Sequence, residues 1–196
     1  ISSNSTPFSL RKLTTGVTVN VVSTDGSKAN ILGIDTGNYQ LGTVQSDVMA
    51  YAWAGSRTFE TEGALDSFRV IGGLYAEAVQ LVTMDKDIKS VADLKGKKVS
   101  VGDSGSGVEF NAQQILGAYD ITFEDINKQN LSFQASADAL KDGKIDAFFC
   151  TAGAPTVAIT DLATTTEIVI VEIDAEHLAA LQKDYGFYAE YKIPAG

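Results

Sequence analysis

Two apolar periods take turns along this chain. Val17, Val19 and Val21 fall at every second place, the spacing of a half-buried strand. Ser23 to Gly26 interrupts them, and Ser27 opens a predicted helix to about Gly33. Leu41 to Gln45 reads as a second strand and Ser46-Asp47 as the start of a helix to Ala54. A loop over Gly55 to Ser67 leads to two more predicted strands, Phe68 to Leu74 and Val79 to Met84.

The second half repeats this grammar. Ser90-Val91-Ala92-Asp93 has the form of a capping box, with Gly96 closing a short helix. A strand over Lys98 to Val101, a loop from Gly102 to Gly107 and a helix over Val108 to Tyr119 follow. In that helix Val108, Ala112, Ile115, Leu116 and Tyr119 share one face. A short helix capped at Thr122, a brief strand over Leu131 to Phe133 and a helix to Asp142 come next. Ile145 to Phe149 is apolar throughout apart from Asp146, which points to a sheet covered on both faces. Pro155 suits the first turn of another helix, Ile168 to Val171 is a strand, and Asp174 caps a last helix to about Asp184. The segments 37–47 and 143–153 share one layout of helix stop, strand, polar loop and helix start. Two similar α/β units are expected, with a boundary near Asp85 to Lys89.

Composition narrows the function. At 196 residues with 44% hydrophobic and 20% charged positions, the chain can bury a real core. A formal charge of −10 argues against nucleic acid, whose phosphates demand a basic surface. It leaves room for a small anion, which a helix N-terminus binds locally. No apolar run reaches the length of a membrane span, and no signal peptide is expected in the polar start Ile1 to Pro7. Cys150 is the single cysteine, so no internal disulfide forms, and a buried apolar role is expected for it.

Parallel α/β sheets bind ligands beyond the carboxyl ends of their strands. Four turns have that place here: Ser23 to Ser27, Gln45 to Asp47, Gly102 to Gly107 and Thr151 to Pro155. The glycine-serine loop lacks the lysine and spacing of a P-loop. Gly102-Asp103-Ser104-Gly105 matches the tetrapeptide around a serine-protease nucleophile, but the only histidine, His177, falls on a remote helix. An anion-accepting turn remains, beside the plainer reading of a tight turn. One His, one Cys and scattered carboxylates offer no metal spacing, and neither metal nor cofactor is expected. Tyr75 and Glu77 are either a surface pair near the hinge or an aromatic wall and carboxylate at a cleft.

Several segments occur in an order that resembles a known family: Gln45-Ser46-Asp47, Leu74-Tyr75-Ala76-Glu77, 91–99, 105–112, 139–149 and Thr151-Ala152-Gly153-Ala154-Pro155-Thr156. The set looks like the TAXI family of solute-binding proteins, which serve tripartite ATP-independent periplasmic (TRAP) transporters. The resemblance covers roughly Gly16 to Gly196 and implies an α/β, two-lobed, periplasmic-binding-protein-like (type II) fold with mainly parallel sheets. It implies a partial first lobe over 1–87, a second lobe over 88–190 and the start of a return hinge at 191–196. The first lobe is expected to lack elements at both chain ends.

The implied function is non-enzymatic: capture of a small acidic solute, such as glutamate, in the interlobe cleft and delivery to TRAP membrane subunits outside the cytoplasm. An enzyme or a sensory or surface protein on the same two-lobed scaffold is the alternative. By motif, the substrate-binding residues are Ser23, Thr24, Gly26, Ser27, Asn30, Gln45, Ser46, Asp47, Tyr75, Ser104, Gly105, Ser106, Gly107, Thr151, Ala152 and Gly153. The expectation is that Gln45, Ser46 and Tyr75 face Ser104, Ser106 and Thr151. Asp25 departs from the small residue usual in the family and adds a carboxylate to the first loop.

Overall fold

The computed structural model describes residues 19–193. Its N-terminal part is helical, with α1 over Ser27–Asp35 and α2 over Ser46–Ala54, followed by a 3-10 turn at Arg57–Phe59. Ile31, Val48, Ala52, Phe59 and Phe68 form its core, and Phe110 packs against them from further along the chain. Gly55 ends α2 in the left-handed conformation that glycine adopts most cheaply.

The rest of the described chain is built on one five-stranded sheet of order β3-β2-β4-β1-β5. Its strands are β1 (Ala78–Thr83), β2 (Lys98–Ser100), β3 (Asn127–Gln129), β4 (Ala147–Ala152) and β5 (Val169–Val171). Its helices are α3 (Gly107–Ala118), α4 (Phe133–Lys141), α5 (Val157–Thr165) and α6 (Ala175–Asp184).

Every residue of β4 is buried. Ala147 and Phe149 pack with Val108, Ala112, Ile115 and Leu116 of α3 on one face. Phe148, Cys150 and Ala152 pack with Leu140 of α4 and Ile159 and Leu162 of α5 on the other. The continuous apolar run in the sequence is therefore a strand covered on both sides.

β2 pairs in parallel with both β4 and β3. The sheet is nevertheless mixed. β1 lies antiparallel to both β4 and β5, while β2, β3, β4 and β5 run the same way, so the expectation of mainly parallel strands holds with one strand reversed. A covered apolar strand reads the same in either direction, and strand direction has no signature in the period.

Four strand expectations change. Leu41 to Gln45 and Phe68 to Leu74 form no ladder; Leu41, Val70, Ile71 and Leu74 are 64%, 64%, 85% and 72% exposed. Alternation marks a face that a sheet could bury, but a strand also needs a partner for its amides. Of the segment 17–21, residues 19–21 carry no strand, and Val17 and Thr18 lie outside the described residues. The strand expected at Leu131 to Phe133 sits instead at Asn127–Gln129. Its polar side chains suit a sheet edge, and Ser132 caps α4 just after it.

Candidate functional site

The N-terminal part meets the sheet-bearing part along the start of α3. Ser106 caps this helix, its hydroxyl accepting from the Glu109 N–H at 3.3 Å. Gly26, the residue before α1, stands opposite: a Cβ placed there would lie 3.3 Å from both Cα and Cβ of Ser106. Gly107 is covered even more closely. A Cβ there would fall 1.2 Å from Oε1 of Gln45, so Gln45 occupies the space this glycine leaves.

Gln45 is placed by both neighbours. Its backbone N–H donates to the Ser27 hydroxyl at 3.0 Å, tying the entry of α2 to the first turn of α1. Its side-chain amide donates to Oδ1 of Asn111 at 2.9 Å. The same Oδ1 accepts from the Thr151 hydroxyl at 3.0 Å. Asn111 Nδ2 donates to Asp47 at 3.1 Å and to the Tyr188 hydroxyl at 2.8 Å. Tyr188 donates onward to Gln114 Oε1 at 2.6 Å, and Gln114 Nε2 donates to the Tyr51 hydroxyl at 2.6 Å. Asn111 thus fills both donor and both acceptor positions of its amide, joining α2, α3, β4 and the segment after α6.

The charges in this region are acidic. Asp47 is 4% exposed. Burial raises its pKa, against hydrogen bonds from the Val48 N–H and Asn111. Burial also raises Glu77, with nearby Asp47 adding to the effect and a hydrogen bond from Tyr75 opposing it. Neither carboxylate has a lysine or arginine partner among the described residues. Glu109 is different, held below its usual range despite burial: Lys128, the Gly105 N–H and Asn130 all reach it.

The other residues singled out in the sequence are spread more widely. Thr24 donates to Asn30 at 2.7 Å, and Asn30 donates to the Thr43 carbonyl at 2.8 Å, which pins the first loop to the entry of α2. The ring of Tyr75 lies 3.6 Å from where a Cβ of Gly153 would be, so these two loops touch. Ala152 is buried at the end of β4, and Thr156 holds the following turn through Gln80 and the Gly153 carbonyl. Ser23, Ser46 and Ser104 are exposed and make no side-chain hydrogen bond among the described residues, and Asp25 is exposed too. The Gly105 N–H donates to Glu109 at 2.6 Å, whereas those of Gly107 and Val108 have no protein acceptor among the described residues.

Sequence reasoning passed over Asn111, Gln114, Tyr51 and Tyr188. A signal existed in α3: Asn111 and Gln114 stand one turn apart beside the apolar stripe of Ala112, Ile115 and Leu116, and both are buried. Polar side chains at that spacing announce partners from another element.

His177 sits on α6, stacked on Tyr119 at 3.5 Å and paired with Asp174. Burial pushes the Cys150 thiol up to about 12, so it stays protonated. Among the described residues no group of His, Cys, Asp or Glu is placed to hold a metal ion.

Comparison with solved structures gives the same type of fold. The alkanesulfonate-binding protein SsuA from Xanthomonas axonopodis pv. citri, bound to MOPS, matches with a TM-score of 0.51 at 20% identity, over 77% of this chain and 48% of its own. The periplasmic aliphatic sulphonate binding protein SsuA from Escherichia coli matches with a TM-score of 0.41 at 27% identity, over 50% of this chain and 30% of its own. A periplasmic binding protein from Brucella ovis with glutathione bound matches at 17% identity with a TM-score of 0.40, over 50% of this chain and 31% of its own. The chain therefore spans less than half the length of these structures. The model of the NMT1-like family matches residues 7–196, and the chain belongs to that family.

Proposed function

We propose that this chain is the solute-binding component of an extracytoplasmic uptake system, holding a small carboxylate-bearing solute between its N-terminal part and its sheet-bearing part. The observation that carries this reading is the approach of Gln45 and Gly26 to Gly107 and Ser106. Polar loops from two parts of the chain converge on one helix N-terminus.

The chemistry favours a zwitterion such as glutamate over a simple anion. Gly107 and Val108 offer N–H groups at the positive end of α3, where a carboxylate is stabilised. Glu77, Asp47 and the exposed Asp25 would repel a bare anion, but half-buried Glu77 beside Tyr75 suits an ammonium group. Closing the two parts around the solute would exclude water and strengthen each hydrogen bond.

In this reading β1 (Ala78–Thr83), expected in a first lobe over 1–87, belongs with the sheet of the second lobe over 88–190. The ordered segments that resemble the TAXI family support TRAP membrane subunits as the proposed partners. Release of the solute unchanged separates this reading from an enzyme on the same scaffold. Incubation with glutamate followed by mass spectrometry checks it, and conversion to any product would overturn it.

A further inference from the structure

The first turn of α3 carries an acid in an uncommon role. In an ordinary capping box, the acid three residues into the helix takes the N–H of the capping residue. In α3 the Ser106 N–H goes instead to the Asp103 carbonyl at 3.0 Å. Glu109 reaches one residue further back and accepts the Gly105 N–H at 2.6 Å. Gly105 has φ 75°, a left-handed conformation that glycine enters at little cost, and the loop folds back onto the helix there. Asn130 completes the clamp, donating to the Gly102 carbonyl at 2.8 Å and to Glu109 at 3.1 Å. The 102–107 loop is thereby tied down through the Glu109 carboxylate.

Glu109 is 8% exposed. A buried carboxylate in the same turn as the Gly107 and Val108 N–H groups would repel a second one arriving there. Lys128 offsets that charge. Its ammonium pairs with Glu109 at 2.5 Å and lies 4.5 Å from the centre of the Phe123 ring. β3 holds it in place: Lys128 stands opposite Val99 of β2, the strand that runs into the loop. Among the described residues Lys128 is the one charged side chain bonded to Glu109.

We propose that Glu109 and Lys128 are a positioning pair for the cleft. Glu109 holds the loop so that the Gly107 and Val108 N–H groups stay free for a solute carboxylate, and Lys128 cancels the charge this places beside them. The pair acts only if the solute binds at the start of α3, so it rests on the cleft reading above.

Glutamate is the probe, titrated calorimetrically at about pH 7.5 and about pH 5.5. Lys128→Met should bind it at least tenfold more weakly than the parent at the higher pH, where Glu109 is charged and unopposed. Without its cation the buried Glu109 should take up a proton more readily, so the gap should narrow at the lower pH. Asp47 and Glu77, whose pKa values are also raised, titrate alike in parent and variant and drop out of the ratio. The neutral double variant Glu109→Gln/Lys128→Met should return to within about threefold of the parent, because an amide oxygen still accepts the Gly105 N–H and no charge is left. Lys144→Met removes the same charge near the start of β4, away from Thr151 towards its end, and should bind as the parent does. A gap that is equal at both pH values would overturn the proposal, as would a double variant as weak as Lys128→Met, since the pair would then serve packing alone. Equal weakening in Lys144→Met would reduce the effect to net charge and overturn it too. In each of these cases the cleft reading stands, because the parent binds. No binding of glutamate by the parent at either pH would overturn both together.

Discussion

Gln45 donates to Asn111 across 2.9 Å, and the two residues are joined by a bond between helices 66 positions apart in the chain. Through Asn111 the same contact reaches Asp47, Thr151 and Tyr188. What links the N-terminal helices to the sheet here is a saturated polar cluster beside the apolar clusters.

Asn111→Ala should therefore be costly out of proportion to its size. It strips Gln45, Thr151 and Tyr188 of a partner and leaves the buried Asp47 carboxylate with one donor fewer. A loss of about 2–4 kcal/mol in urea unfolding is expected, against about 1 kcal/mol for an ordinary hydrogen bond. A double-mutant cycle with Gln45→Ala should show coupling of about 0.5–3 kcal/mol. Additive effects would mean that the bond contributes nothing of its own.

Asp47 gives the cluster a pH signature. Burial raises its folded-state pKa above the ordinary 3.8, so the folded chain binds this proton more tightly than the unfolded one. Stability from this group is greatest at low pH and falls as pH rises from near 3.8 through the folded pKa, above which the full cost of the buried charge remains. Glu77, also raised, and the Tyr51 and Tyr188 phenols are other titratable groups acting in this region. Asp47→Asn should flatten that part of the stability profile and raise stability at neutral pH. An unchanged slope between pH 4 and 7 in urea midpoints would show that Asp47 is not the group responsible.

Gly107→Ala probes the fit between the two parts directly. The added methyl meets the end of the Gln45 side chain rather than backbone, so Gln45 can swing away and the fold should lose only about 1 kcal/mol. The bond to Asn111 would be broken, and solute affinity should fall by about tenfold. If Gly107→Ala binds as the parent does, Gln45 has no part in closing the cleft.

The local grammar of the chain was legible because its causes are local. Ser90 and Asp93 form the expected capping box, and the Asp174 carboxylate accepts from the Glu176 and His177 N–H groups as a helix cap should. The burial of β4 on both faces also follows from its unbroken apolar run. What was not legible depends on partners distant in the chain. Phe68 to Leu74 has a strand's composition, but no described segment pairs with it. The entry of β1 between β4 and β5 has no local mark. At the site, the loop residues Gln45, Gly107 and Thr151 could be named from turn chemistry. Asn111, which ties them together, lies inside a helix that reads as core.

The central claim is that small solutes bind between these two parts at the start of α3. Thermal-shift measurements with glutamate, glutamine, aspartate, 2-oxoglutarate and succinate, followed by calorimetry on any that stabilise, test it most directly. The same titrations on a Ser104→Ala/Ser106→Ala variant locate the site. Because Ser106 caps α3, the variant's melting temperature without solute serves as its own baseline. At least one of these solutes is expected to bind saturably, with glutamate ahead of succinate because Glu77 suits its ammonium group. The double substitution should weaken that binding by about 1–3 kcal/mol. No stabilisation by any of the five, or full affinity in the double variant, would contradict the account.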